Sequence, residues 1–261
     1  MNMSQLGVKM KASLYERARY YVHMQQMRRL TDSLALDLRE WMHLDMLQTM
    51  ATLKALVPPV ETIIDVGAYL GEFARLSSAV LGARKVICYE PNKEILPQLT
   101  DNMHGIPHEI RGVALADTEK SAALHLHADP SMNSLLQADA EIMREHFTHD
   151  DPAAVRSAEV EVRTLDADLS GLQALCPFFI KLDVQGMELP VLRGAQATLK
   201  KTCAVLLEYM FTSPYVGQAP FSSLVDYLQD QGFEGAAVTA MNRKPTQVVS
   251  GVDFLFLKRS M

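Results

Sequence analysis

Residues 63–71 read Ile-Ile-Asp-Val-Gly-Ala-Tyr-Leu-Gly, and Glu90 stands nineteen residues past Gly71, at the end of Val86-Ile87-Cys88-Tyr89. An apolar run thus ends in a carboxylate and a glycine turn, and a second apolar run ends in an acid. In a strand–helix–strand unit, the first turn must let a ligand come close to bare backbone, which Gly67 and Gly71 permit. The acid after the second strand then arrives where it accepts hydrogen bonds from both hydroxyls of a ribose. The two motifs read as the front half of a nucleoside-binding site in an α/β fold.

The spacing bears on the cofactor. A nicotinamide fingerprint has the form Gly-x-Gly-x-x-Gly, and here Ala68 and Tyr69 stand where a further glycine is required. The observed Asp-x-Gly-x-x-x-Gly resembles the first motif of class I S-adenosylmethionine (SAM) methyltransferases. SAM has no phosphates but carries an ammonium, a carboxylate, a ribose and a sulfonium, and acids near the glycine loop suit it. An ordinary strand-to-helix turn accounts for one glycine but not for the paired acids.

A chain of 261 residues buries one large core, or one core with a helical appendage. The net charge of −6, without a lysine- or arginine-rich run, argues against nucleic acid as a partner. No stretch approaches the roughly 18 apolar residues of a membrane span, and the N-terminus lacks the basic and apolar regions of a secretory signal. Cys88, Cys176 and Cys203 are odd in number and far apart. Cys88 and Cys203 lie in apolar runs, as buried free thiols do, and a cytoplasmic protein is expected.

Residues 9–56 contain no glycine or proline and place Leu14, Tyr21, Met24 and Met27, then Leu34, Leu38, Trp41, Leu44 and Leu47, at helical spacing. Thr31, Asp32 and Ser33 offer a cap that divides this segment, and Pro58 and Pro59 end it. It reads as a helical appendage (1–58) that packs on the core, covers the substrate mouth or builds a homodimer. Strands and helices then alternate through 59–261. Strands are expected over 62–66, 85–90, 110–116, 178–184 and 203–209. Helices are expected over 71–81, 92–103 with Asn92 as cap, 189–200, and between Ser222 as cap and Gly232 as stop. Residues 121–170 break the rhythm as an insertion, with strands at 123–127 and 159–164. Two last strands, 236–240 and 252–257, close the sheet as an antiparallel pair. The expected fold is a doubly wound, mostly parallel Rossmann-like sheet.

The run Phe179-Ile180-Lys181-Leu182-Asp183-Val184-Gln185-Gly186-Met187-Glu188 supplies the other half of a site. Lys181 and Asp183 are two apart on one strand and share a face. Ligands of a doubly wound sheet bind outside the carboxyl ends of its strands, where the strand order reverses. If the order is the usual methyltransferase one, Asp65 and Asp183 face one pocket. Charges on a buried strand are costly unless paired or functional. A structural ion pair of Lys181 with Asp183 or Glu188 is the alternative.

These blocks together resemble the FkbM family of SAM-dependent methyltransferases. They are joined in order by Val113-Ala114-Leu115-Ala116-Asp117, Asn133-Ser134-Leu135, Thr164-Leu165-Asp166, Leu192-Arg193-Gly194-Ala195 and Leu207-Glu208. The likeness covers roughly residues 60–258, and Lys-x-Asp-x-x-Gly-x-Glu with the following Leu-x-Gly-Ala is its most specific part. Tyr69 departs from the family, which more often has asparagine there, and this weakens one expected polar contact to the cofactor.

The resemblance implies O-methylation of a hydroxyl on a small-molecule, sugar or natural-product acceptor. An alcohol oxygen is a poor nucleophile until its proton leaves. Asp183 is the first candidate for the base, with Lys181 to tune it and Glu188 or Glu208 to assist. Glu90 is expected to hold the ribose, Asp65 and Gly67 to line the methionine end of the cofactor, Tyr69 and Gly71 to bind it at the glycine turn, and Ala116 and Asp117 to meet the adenine. Ser134 is expected to reach cofactor or acceptor. His125-x-His127 and His146-x-x-His149 with Asp150-Asp151 lack a complete metal-ligand set, whereas Asp183, Glu208 and water suit Mg2+. A protein that binds SAM or its product without turnover, as a sensor or partner subunit, is the second function class. A nicotinamide-dependent oxidoreductase is a third.

Overall fold

A computed structural model describes residues 44–146, 155–170, 176–243 and 249–259. Its first element, α1 (Leu44–Leu56), is the last part of the long apolar-patterned segment; residues 1–43 lie outside the described residues. The next elements are β1 (Thr62–Val66), α2 (Glu72–Leu81), β2 (Lys85–Tyr89), α3 (Leu96–Asn102) and β3 (His108–Arg111). β4 (Ala114–Leu115), β5 (Lys120–Leu126), α4 (Ala140–His146), β6 (Arg156–Arg163) and α5 (Leu165–Asp168) follow. The chain then runs through β7 (Phe178–Leu182), α6 (Glu188–Arg193), α7 (Gln196–Leu199) and β8 (Thr202–Met210). It finishes with α8 (Phe221–Asp230), β9 (Phe233–Arg243) and β10 (Val249–Lys258).

Among the described residues, seven strands form a sheet in the order β3-β2-β1-β7-β8-β10-β9. β1 pairs in parallel with both β2 and β7. β10 is antiparallel to β8 and to β9, which gives the expected antiparallel terminal pair. The order reverses at β1, so the carboxyl ends of β1 and β7 flank the crevice where such sheets bind ligands. A three-stranded sheet, β4-β6-β5, carries the insertion.

Alternating side chains of the central strands feed two cores. On one face Ile63, Cys88, Phe179 and Leu206 pack with Leu47, Met50 and Leu53 of α1, with Phe73 and Leu76 of α2, and with Leu99. On the other, Ile64, Ile87, Ile180 and Leu207 pack with Leu189 and Val191 of α6 and with Leu224 and Leu228 of α8. α1 is built into this structure: Met50 and Leu53 are fully buried, and Thr49 Oγ1 donates to Thr239 Oγ1 of β9 at 3.1 Å. Truncating a side chain buried like Leu53 to alanine costs about 2–5 kcal/mol.

Four local expectations are corrected. The single strand over 110–116 is two strands in two sheets, because the chain leaves β3 at Gly112 and re-pairs as β4 with β6. Asn92 does not cap α3: its Oδ1 accepts from Glu94 N at 3.0 Å and closes a turn, and the helix starts at Leu96. The helix over 189–200 breaks at Gly194, and the Asp166 carboxylate caps the second piece by accepting from Ala197 N (2.7 Å) and Thr198 N (2.8 Å). Ser222 lies inside α8, whose cap position is Pro220.

Candidate active site

The glycine turn is built by backbone hydrogen bonds. Gly67 N and Ala68 N both donate to Tyr89 O, at 3.0 and 3.1 Å, which locks the end of β1 to the end of β2. Gly67 has φ +78°, and a Cβ there would lie 1.8 Å from the Asp183 carbonyl oxygen. Only glycine lets the ends of β1 and β7 come this close. Tyr69 also takes a left-handed backbone, φ +49°. Asparagine enters that region with less strain than tyrosine does, which accounts physically for the residue the resemblance expects. The strained turn aims Tyr69 N at Glu90 Oε2, 3.0 Å away.

Glu90 is held from behind. Its other oxygen accepts from Asn92 N at 2.8 Å, and the residue is 7% exposed. A carboxylate has about four lone-pair positions, so each oxygen keeps one for a ligand. Burial pushes this carboxyl up to about 7, although the two backbone N–H groups pull it down. Gly67, Tyr69, Glu90, Ser134, Lys181 and Asp183 all line one cleft.

On the β7 side, Lys181 Nζ lies 3.1 Å from Asp183 Oδ2 and 3.5 Å from Asp65 Oδ1, and it donates to Gly67 O at 3.3 Å. Burial drives Asp183 upward, but Lys181 and hydrogen bonds from Glu208, Lys181 and Gln185 outweigh it and hold the carboxyl below the usual range. Lys181 stays charged, because Asp183 and Asp65 overcome the cost of its burial. Glu208 hydrogen-bonds to Asp183 and is pushed well up by the Asp183 charge and by burial. Two adjacent carboxyls that cannot both ionise hold one proton between them.

Several expected roles move. Asp65 is fully buried and is not part of the cleft wall. It sits behind Lys181, and burial pushes it up to about 6. Ala116 and Asp117 do not reach the cleft; the apolar wall at that height is Val113, Ala114 and Leu115. Ala116 O packs against Gly194 instead. Glu188 is 3% exposed and ties its own turn, accepting from Gly186 N (3.1 Å) and Val184 N (3.3 Å). Glu208 lies beyond Asp183 rather than in the cleft. Gly71 shapes the turn from behind: a Cβ there would lie 2.7 Å from Leu99 Cδ1. Ser134 Oγ donates to Gln185 O at 2.7 Å and pins the insertion to the site.

Sequence reasoning gave no role to Gln185. Its amide donates to Asp183 Oδ1 at 2.8 Å and to Glu208 Oε2 at 3.3 Å, from a left-handed backbone at φ +52°. A glutamine immediately before Gly186 in a turn after a charged strand was the available signal. Among the described residues, no group of three or more His, Cys, Asp or Glu is arranged to hold a metal ion. His149, Asp150 and Asp151 lie outside them. No helix among the described residues is long and apolar enough to cross a membrane.

A curated relative, the 2-O-methyltransferase NoeI of Sinorhizobium fredii (strain NBRC 101917 / NGR234), is 25% identical over 180 residues, covering 65% of this chain and 72% of that one. Solved structures with loose likeness include a precorrin-6y C5,15-methyltransferase from Geobacter metallireducens GS-15. It has TM-score 0.43 and 12% identity, covering 86% of this chain and 94% of that chain. A ribosomal protein L11 methylase from Lactobacillus delbrueckii subsp. bulgaricus has TM-score 0.42 and 11% identity, covering 84% and 81%. The model of the methyltransferase FkbM domain matches residues 65–234, from the carboxylate before the glycine turn into β9. The chain belongs to the FkbM methyltransferase family.

Proposed function

We propose that the protein transfers the methyl group of SAM to a hydroxyl oxygen of a small-molecule, sugar or natural-product acceptor, with Asp183 as the base. The observation that carries this reading is the pairing, across one cleft, of a ribose-competent Glu90 with an ionised Asp183. The residues fit the cofactor. Gly67 keeps its Cβ position clear, the two Glu90 oxygens are anchored with lone pairs to spare, and Val113, Ala114 and Leu115 offer an apolar wall for a flat base. The relative NoeI, named a 2-O-methyltransferase, supports oxygen as the receiving atom.

When bound, SAM supplies an electrophilic methyl on a sulfonium, whose carbon–sulfur bond breaks with its electron pair staying on sulfur. The protein's part is positioning and proton removal. Glu90 fixes the ribose, and the turn at 67–71 fixes the cofactor against backbone. Asp183, kept ionised by Lys181, takes the acceptor hydroxyl proton as the oxygen–carbon bond forms. Lys181 holds Asp183 in place and keeps its charge. Replacing Asp183 by Asn removes the base but keeps the shape. Turnover on an identified acceptor should fall by about 10²–10⁴-fold, while S-adenosylhomocysteine affinity stays within about threefold. Full activity in Asp183→Asn would show that another group takes the proton.

A further inference from the structure

Gln185 stands between Asp183 and the insertion, and it is bonded to both. Its backbone is left-handed, φ +52°, and Gly186 follows at φ +96°. This turn brings the Gln185 side chain back to the strand end it has just left, with Nε2 2.8 Å from Asp183 Oδ1 and 3.3 Å from Glu208 Oε2. A non-glycine residue holds such a backbone at a cost, and the strain persists where the surrounding structure enforces it, often at functional sites. Asparagine or glycine would make the same turn with less strain. The turn alone therefore does not call for glutamine; the reach of its amide does.

The two oxygens of Asp183 have different donors. Lys181 Nζ lies 3.1 Å from Oδ2, and Gln185 holds Oδ1. The terminal torsion of an aspartate is broad, so a donor on one oxygen leaves the group free to swing, whereas donors on both fix its plane. About four lone-pair positions are available on a carboxylate, so the fixed group still has positions to present to the cleft. Charged groups surround it on several elements: Lys181 on β7, Asp65 on β1, Glu208 on β8 with Asp253 of β10 beside it, and Glu188 on α6. Among three neighbouring carboxyls, a neutral donor favours the charged form of Asp183.

The Gln185 main chain is held in turn by the insertion. Ser134 Oγ donates to Gln185 O at 2.7 Å and accepts from Leu136 N at 3.0 Å. The Ser134 backbone pairs with His125 of β5, through His125 N to Ser134 O at 2.9 Å and Ser134 N to His125 O at 3.3 Å. The same stretch lines the cleft with Leu124, Asn133 and Leu135.

We propose that Gln185 is the positioning residue of the base: its amide fixes the plane of the Asp183 carboxylate and favours its charge, and Ser134 of the insertion fixes Gln185. The assignment rests on the methyl-transfer reading above, in which the proton leaving the acceptor oxygen passes to Asp183. Gln185 itself neither gives nor takes a proton.

The test follows the ionisation of Asp183 directly, in the full chain labelled with carbon-13 at the aspartate carboxyls. The Asp183 signal is the one lost in Asp183→Asn, and it is titrated by NMR over about pH 4–8. Two variants separate the amide from the turn. Gln185→Met has no donor, whereas Gln185→Asn suits the left-handed backbone but is one methylene too short. Both should raise the Asp183 midpoint by about one pH unit, the worth of a hydrogen bond to a charged group. Gln185→Asn should unfold at or above the wild-type temperature, and S-adenosylhomocysteine should bind it within about threefold of wild type by calorimetry. Ser134→Ala should shift the midpoint the same way by less, and combining it with Gln185→Met should add nothing.

Asp183 titrating as in wild type in both Gln185 variants would overturn the proposal, as would a shift found only where thermal stability is lost. Additive shifts from Ser134→Ala and Gln185→Met would overturn the link to the insertion. Wild-type protein that binds no S-adenosylhomocysteine is the distinct result that removes the methyl-transfer reading, and the titration still reports whether Gln185 holds Asp183.

Discussion

Asp65 and Asp183, on neighbouring strands, share one counter-ion: Lys181 Nζ lies 3.5 Å from the first and 3.1 Å from the second. The Lys181 side chain is 12% exposed and Asp65 is fully buried. The pairing therefore operates away from bulk water, where removing one partner strands the other charges.

Lys181→Met should accordingly destabilise the protein by about 3–5 kcal/mol, the cost of breaking a buried ion pair from one side. Urea or guanidinium unfolding followed by circular dichroism measures it. A midpoint close to wild type would mean that Asp65 and Asp183 are neutral without the lysine, and that Asp183 is not held ionised as described.

Glu188 gives a pH-dependent prediction of the opposite sign. Burial pushes its carboxyl from 4.5 up to about 7 in the folded chain. Between these values the folded state binds more protons than the unfolded state, so stability falls as pH rises through that window. Glutamine keeps an oxygen to accept from Gly186 N and Val184 N but carries no charge. Glu188→Gln should be more stable than wild type by on the order of 2–3 kcal/mol at pH 8, and the gain should shrink toward pH 4.5. A variant less stable than wild type at pH 8 would show that the carboxylate charge contributes to the turn.

Backbone crowding separates two glycines by function. A Cβ on Gly67 would lie 1.8 Å from Asp183 O, and one on Gly194 would lie 2.1 Å from Ala116 O. Gly194→Ala should cost about 1–3 kcal/mol by overpacking and leave S-adenosylhomocysteine affinity close to wild type. Gly67→Ala should damage both, since it pushes β1 and β7 apart at the cleft. Thermal unfolding and calorimetry on the two variants measure both effects. Equal loss of affinity in both would contradict the separate roles.

The legible part of this protein was the part with short, local causes. Gly67, Glu90, Lys181 and Asp183 sit at strand ends, where an apolar run meets a glycine or an acid, and the sheet order brings them to one cleft. What stayed hidden depended on long-range packing. Nothing near Gly112 in the chain announces that the strand leaves one sheet for another, because the partner strand β6 lies some 50 residues on. Ala116 and Asp117, expected to meet the adenine, lie off the cleft, which Val113, Ala114 and Leu115 line at that height. Glu188 read either as an assisting catalytic group or as an ion-pair partner of Lys181, and only its backbone partners, Gly186 N and Val184 N, place it in its own turn. The helix α1 looked like part of an appendage, since a helical pattern does not reveal which surface it covers.

The most direct test of the account is the affinity of S-adenosylhomocysteine, measured by calorimetry at pH 6, 7 and 8 for wild type and Glu90→Ala. Glu90 must be ionised to accept from both ribose hydroxyls, and burial puts its carboxyl near 7 in the free protein. Wild-type affinity should rise about tenfold from pH 6 to pH 8. Glu90→Ala should bind more weakly by about 1–3 kcal/mol at pH 8 and lose that slope. Wild-type protein that binds no S-adenosylhomocysteine, or Glu90→Ala protein that matches wild type in affinity and slope, would contradict the assignment of this cleft to SAM.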